Sequence, residues 1–220
     1  MWRGPCGVLS AAAALAGLAA LAACGAVRPP AFRPAGANPG APAATGTSSR
    51  LARTSALTWP PFGPDVHIVM PGWLPADRGE IPAVITAKNF LLAYLYAEYK
   101  GGTDQRWASY VAGDVATALR SDLAAPGVTT QSFTGTIRFS LMDAFPDPSV
   151  NGAVDVSECF DNAHSANVGL HSRQVIPDRI PPGQHYYRNT DVVARGAGGQ
   201  WHVIGVYPVI YYPQAKECKQ

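Results

Sequence analysis

The sequence predicts an α+β domain in which N-terminal helices pack on a curved antiparallel sheet, and three observations predict it. Apolar residues recur at helical spacing through 81–123. The period falls to two from Phe133 onward. A Gly-rich turn at 196–199 joins the last two strand-like runs as a hairpin would. Helices grouped ahead of strands, rather than alternating with them, favour a segregated layout over a parallel βαβ sheet.

The first helix is expected over 81–100. Val84, Ala87, Leu91, Tyr94, Leu95 and Glu98 follow helical spacing, Leu92, Tyr96 and Tyr99 widen the apolar side, and Gly101-Gly102 stops it. Thr103 or Asp104 can cap a second short helix carrying Trp107, Tyr110 and Val111. Asp114 can cap a third with Val115, Leu119 and Leu123, which Pro126-Gly127 would end. Next, Phe133, Gly135, Ile137, Phe139 and Leu141 alternate with Thr134, Thr136, Arg138 and Ser140, the pattern of a half-buried strand. A second strand over 153–160 puts Val154, Val156, Glu158 and Phe160 on one face. A third is expected over 185–195 and a fourth over 200–212. The polar, Pro-bearing stretch 162–183 reads as a long loop.

Residues 1–23 read as an export signal. Arg3 gives a positive start, the apolar run at 8–20 falls short of the roughly 20 residues a spanning helix needs, and small residues precede Cys24. Leu21-Ala22-Ala23-Cys24 resembles the lipobox of bacterial lipoprotein signal peptides. That resemblance implies cleavage before Cys24 and a thioether to diacylglyceryl on its sulfur. The chain would then sit on the extracytoplasmic face of the cell membrane, with the bilayer as its first partner. The competing reading is an ordinary signal with an incidental cysteine; Cys6 precedes the apolar run and would leave with it. In 24–56, Gly, Ala and Pro dominate, so the stretch reads as a disordered tether that buries too little to fold. Residues 57–80 carry Trp59, Phe62, Val66, Ile68, Val69, Met70, Trp73 and Leu74, too much apolar surface to leave in water. They form either an extended strap packed on the domain 81–220 or a partner-binding segment. Cys159 and Cys218 are the remaining cysteines; in an exported chain two most simply form one disulfide, and two buried thiols are the alternative.

The layout is similar to the nuclear-transport-factor-2-like superfamily, a cone of helices cupped by a curved sheet. The likeness is carried by the opening helix with Phe90, Leu91, Tyr94 and Leu95, by Trp107 and Tyr110, and by the closing run Trp201-His202-Val203-Ile204. The lipobox, the run Val156-Ser157-Glu158-Cys159-Phe160-Asp161, Arg188-Asn189-Thr190 and the terminal Cys218 together resemble lipoproteins of high-GC Gram-positive bacteria. The superfamily resemblance implies a concave pocket, for which Glu158, Tyr94, Trp107, Tyr110 and Trp201 are the candidate residues. In ketosteroid-isomerase-like and polyketide-cyclase-like relatives, a buried acid removes a proton beside a carbonyl. Strand parity makes Glu158 the candidate, because burial raises a carboxyl's proton affinity toward the working pH. The structural alternative is that Glu158 pairs at the rim with Arg138 or Arg188.

Other chemistry finds little support. A formal net charge of +2 without a basic stripe argues against nucleic acid. His164, His171 and His185 would have to converge with Asp161 or Asp178 to hold a metal, and no spacing demands it. His202 reads as a solvent-face or hydrogen-bonded core residue. No nucleophile elbow, phosphate loop or redox Cys-x-x-Cys occurs. No cofactor or metal is therefore expected. The expected function is a non-catalytic binding or accessory module, presenting its pocket or sheet to an envelope protein or a small apolar ligand. The alternative is an isomerase- or cyclase-type enzyme with Glu158 as general base.

Overall fold

The computed structural model describes residues 62–70, 72, 74–178 and 180–219. The expected signal segment, Cys24 and the tether lie outside the described residues, as do Trp59 and Trp73.

Pro82, which needs no intrahelical donor, sits in the first turn of helix α1, Ile81–Tyr99. Gly101 and Gly102 end it in left-handed conformations, φ 65° and 77°, and the Gly102 N–H returns to the Ala97 carbonyl at 2.8 Å. A Cβ on Gly102 would meet the Leu123 carbonyl oxygen at 2.1 Å, so the stop also lets the next helix pack close. The second expected helix is a 3₁₀ segment, Arg106–Tyr110, entered through an Asp104 carboxylate that accepts from the Arg106 N–H at 3.0 Å. Val111 lies beyond it and bridges Val203. Helix α2 spans Asp114–Leu123, but Gly113 is its cap and Asp114 its first residue, without a side-chain capping bond. Pro126 does not merely end α2; it opens the one-turn helix α3, Pro126–Thr129.

Among the described residues the sheet has six strands: β1 Val66–Val69, β2 Gln131–Pro146, β3 Ala153–Gly169, β4 Tyr186–Arg195, β5 Trp201–Val206 and β6 Ile210–Tyr211. Their order is β1-β2-β3-β4-β5, with β6 paired to β4. All pairs are antiparallel except β1 with β2. Part of the expected strap is thus an edge strand, and Phe62 before it packs on Tyr96, Tyr99 and Phe133.

The expected loop at 162–183 starts later, because β3 continues to Gly169 against Gln131–Thr136. Its small polar residues there carry no apolar alternation and so hid the strand. The expected fourth strand breaks at Tyr207-Pro208, since Pro208 has no N–H for a ladder. Irregular register at Thr136/Arg138, Leu141/Asp143 and Val192/Val193 bends the sheet.

The core lies between the inner sheet face and α1. Phe90, Tyr94, Trp107, Leu119 and Phe160 are fully buried there, and the Phe160 and Tyr187 rings stack 4.7 Å apart. On the outer face, a Cys159–Cys218 disulfide, Cα atoms 5.0 Å apart, pins the chain's last turn to β3.

Candidate functional site

Alternation along β4 sends Tyr187, Asn189, Asp191 and Val193 to the inner face, where all four are buried. Glu158 stands opposite Asn189 in the β3–β4 ladder. The Asn189 amide donates to Glu158 Oε1 at 3.2 Å and to Asp191 Oδ1 at 3.0 Å, so one NH₂ group uses both protons to stitch two acids together. Glu158 Oε2, Asp191 Oδ2 and Asn189 Oδ1 have no hydrogen-bond partner among the described residues. Burial, and then the neighbouring Asp191, push the Glu158 carboxyl well above the usual range; the Asn189 amide and the Lys88 ammonium pull it back. Burial lifts Asp191 to about 7 against the Asn189 bond. Lys88, half-buried on α1, is itself lowered by burial, which the Glu158 charge opposes. The cluster can hold a proton near neutral pH.

A second acid lies on α1. Glu98 is fully buried, its carboxyl raised by burial and by the charge of Asp122, which burial lifts to about 6. Glu98, Leu95, Phe160 and Tyr187 wall a cavity of about 30 Å³, room for a water or two. Asp178, Ile180 and His185 also line it. His185 Nε2 lies 3.4 Å from the Asp178 carboxylate and Nδ1 3.1 Å from Asn162 Oδ1.

The five candidate pocket residues do not converge on that cavity; none of them lines it. Tyr94, one turn before Glu98, is buried with its hydroxyl unpartnered among the described residues. Trp107 is fully buried beneath the Arg120 guanidinium, 5.9 Å from the ring. Tyr110 and Trp201 pack partly buried at the edge of the core. Arg188 points to the outer face and pairs with Glu217 at 3.2 Å, and Arg138 is exposed, so the buried partner of Glu158 is an amide instead. Of the histidines, His164 and His171 are exposed. Among the described residues no group of three His, Cys, Asp or Glu side chains is placed to hold a metal.

Sequence reasoning missed Asn189, Asp191 and the role of Glu98. The signal for the first two was present: the same two-residue parity that buries Glu158 buries them. The Glu98 signal was an acid on the apolar side of an otherwise uncharged helical face.

No protein-family model and no curated protein matches the chain. Among solved structures it is similar to the intermembrane space region of the chloroplast protein ARC6, at 14% identity and a TM-score of 0.40, over 58% of this chain and 96% of that one. It is also similar to a ketosteroid isomerase-like protein from Erwinia carotovora atroseptica SCRI1043, at 16% identity and a TM-score of 0.35, over 58% of this chain and 92% of that one. Among the described residues no helix is long and apolar enough to cross a membrane.

Proposed function

We propose that the chain is an extracytoplasmic lipoprotein, anchored to the cell membrane through Cys24, whose α+β domain acts as a non-catalytic binding or accessory module. The filled interior carries the module reading. The cavity's volume of about 30 Å³ is too small for a substrate, whereas ligand pockets run to about 300–1,000 Å³. Glu158 is occupied by Asn189 and shut away from that cavity. The lipobox-like Leu21-Ala22-Ala23-Cys24 supports the anchor, and with the Cys159-to-Cys218 layout it supports kinship with lipoproteins of high-GC Gram-positive bacteria.

The test is crosslinking of the full-length chain in its own membranes, comparing the parent with Glu158→Gln. The same partner should be captured by both. Loss of capture or of phenotype in a Glu158→Gln protein that still folds and fractionates normally would contradict the reading. A second reading, a ketosteroid-isomerase-like enzyme, draws on one observation: a buried acid pair with Asp191 lifted to about 7. It requires the interior to open far beyond its present volume.

A further inference from the structure

We infer that the outer face of the sheet carries a groove that binds a neutral, hydroxyl-rich ligand of the saccharide class; this deepens the module reading and rests on it. The groove, about 540 Å³, lies between the middle strands and the segment after β5. Phe145 and Asp155 form one cross-strand row, and Asp143, Ser157 and Thr190 the next. Arg188 follows on β4, and the Tyr207 N–H bonds the Thr190 carbonyl at 2.9 Å, which sets its ring at one end.

Two kinds of surface meet there. Phe145 and Tyr207, each 41% exposed, are two of the five exposed large apolar residues among those described, and both line this groove. Exposed aromatic faces offer the apolar side of a sugar ring a platform. Between them Asp155 is only 3% exposed, and its Oδ1 has no partner among the described residues.

Asp147 explains the state of that acid. Its Oδ1 accepts from the Ser149 and Val150 N–H groups, and its Oδ2 from the Tyr207 hydroxyl at 3.3 Å. Asp147 is therefore held as the acceptor, and Asp155, raised to about 7 by burial and by its bond to Asp147, keeps the proton of the pair. A proton held between the two carboxyls satisfies one Asp155 oxygen, and the other, Oδ1, is buried under the groove lining without a partner among the described residues.

The charges select against other occupants. An anion would meet the Asp143 carboxylate in the groove lining. A cation would meet the Arg188 guanidinium in the same lining. A neutral ligand meets neither obstacle. Its hydroxyls can both give and take hydrogen bonds, and the groove offers groups of each kind. Ser157 and Thr190 bond each other at 2.8 Å and keep further capacity. Arg188 commits one nitrogen to Glu217 and retains other donors.

The test uses the full-length chain in mild detergent, titrated calorimetrically with neutral trisaccharides of glucose, mannose, galactose and N-acetylglucosamine. Tri-lysine and pyrophosphate serve as charged probes, and hydrogen exchange maps the site. At least one trisaccharide should bind with a Kd tighter than about 5 mM, with protection at 143–157, 188–190 and 207–210. Tyr207→Ala should weaken it about fivefold. Asp155→Asn, which preserves shape, should also weaken it and guards against a misfolded Tyr207 variant. The inference is overturned if no trisaccharide binds, if a charged probe binds more tightly, if protection maps elsewhere, or if Asp155→Asn binds like the parent. Should no sugar bind while membrane crosslinking still captures a partner, the groove assignment fails and the module reading stands.

Discussion

Asn189 lies directly across the β3–β4 ladder from Glu158 and donates to its Oε1 at 3.2 Å, while the same amide reaches Asp191 Oδ1 at 3.0 Å. Ionising both buried carboxyls would cost more than the Asn189 amide and the nearby Lys88 ammonium return. The pair therefore favours retaining protons, which couples the interior to pH.

Stability should fall as pH rises toward neutrality. Burial raises Asp191 and Asp155 from 3.8 to about 7 and Asp122 from 3.8 to about 6. Across that window the native state holds protons that the unfolded chain has released. The contribution is complete below the unfolded values and is lost as pH climbs through about 6–7. Asp65 and Asp147, lowered by their hydrogen bonds, act in the opposite sense, and only in more acid solution. The melting temperature should be higher at pH 5 than at pH 8, by about 5 °C for a domain of this size. A higher value at pH 8 would contradict the assignment of protons.

Glu158→Gln replaces a carboxyl that must stay protonated with a neutral group of the same shape. It should raise the melting temperature at pH 8, change it little at pH 5, and so flatten the pH profile. A variant destabilised equally at both pH values would mean that the ionised carboxylate is the stable form. Calorimetry at the two pH values decides.

The elements that repeat an apolar spacing were legible in the sequence: α1, residues 133–141 of β2, the start of β3 and the hairpin at 196–199. What stayed hidden depended on partners distant in the chain. The second half of β3 carries no apolar alternation, and its pairing with Gln131–Thr136 makes it a strand. β1 pairs through the backbone with a strand some seventy residues later, and no local pattern encodes that. For the site, parity placed Glu158 on the inner face. The same rule applied to β4 would have supplied Asn189 and Asp191. Whether the interior was open or filled depends on how Phe90, Tyr94, Trp107 and Phe160 interlock, which spacing does not reveal.

Gly135 should resist substitution. Its φ is +90°, its N–H bonds the Asp65 carbonyl at 2.7 Å, and a Cβ would sit 2.3 Å from the His164 carbonyl oxygen. Both the strained backbone and the clash oppose a side chain, so Gly135→Ala should cost about 2–3 kcal/mol and loosen the β1–β2–β3 junction. Urea unfolding measures it; a change below half a unit of kcal/mol would show that the sheet relaxes around the new methyl group.

Replacing Cys159 or Cys218 should be costly. Their bond closes a loop of 59 residues, and the chain-entropy account assigns such a loop about 4 kcal/mol. The double replacement should be no worse than either single one, because each already removes the bond. The tail that carries Glu217, the ion-pair partner of Arg188, should also exchange faster. Two free alkylatable thiols in the non-reduced protein would contradict this.

The central claim, an exported module held by lipid, is tested most directly by the intact mass of the membrane-extracted protein beside that of Cys24→Ala. The parent should begin at Cys24 and carry the added mass of a diacylglyceryl group. Cys24→Ala should lack that mass and appear in the medium or as uncleaved precursor. A parent that retains residues 1–23, or that starts elsewhere without lipid and still fractionates with the membrane as Cys24→Ala does, would contradict the account.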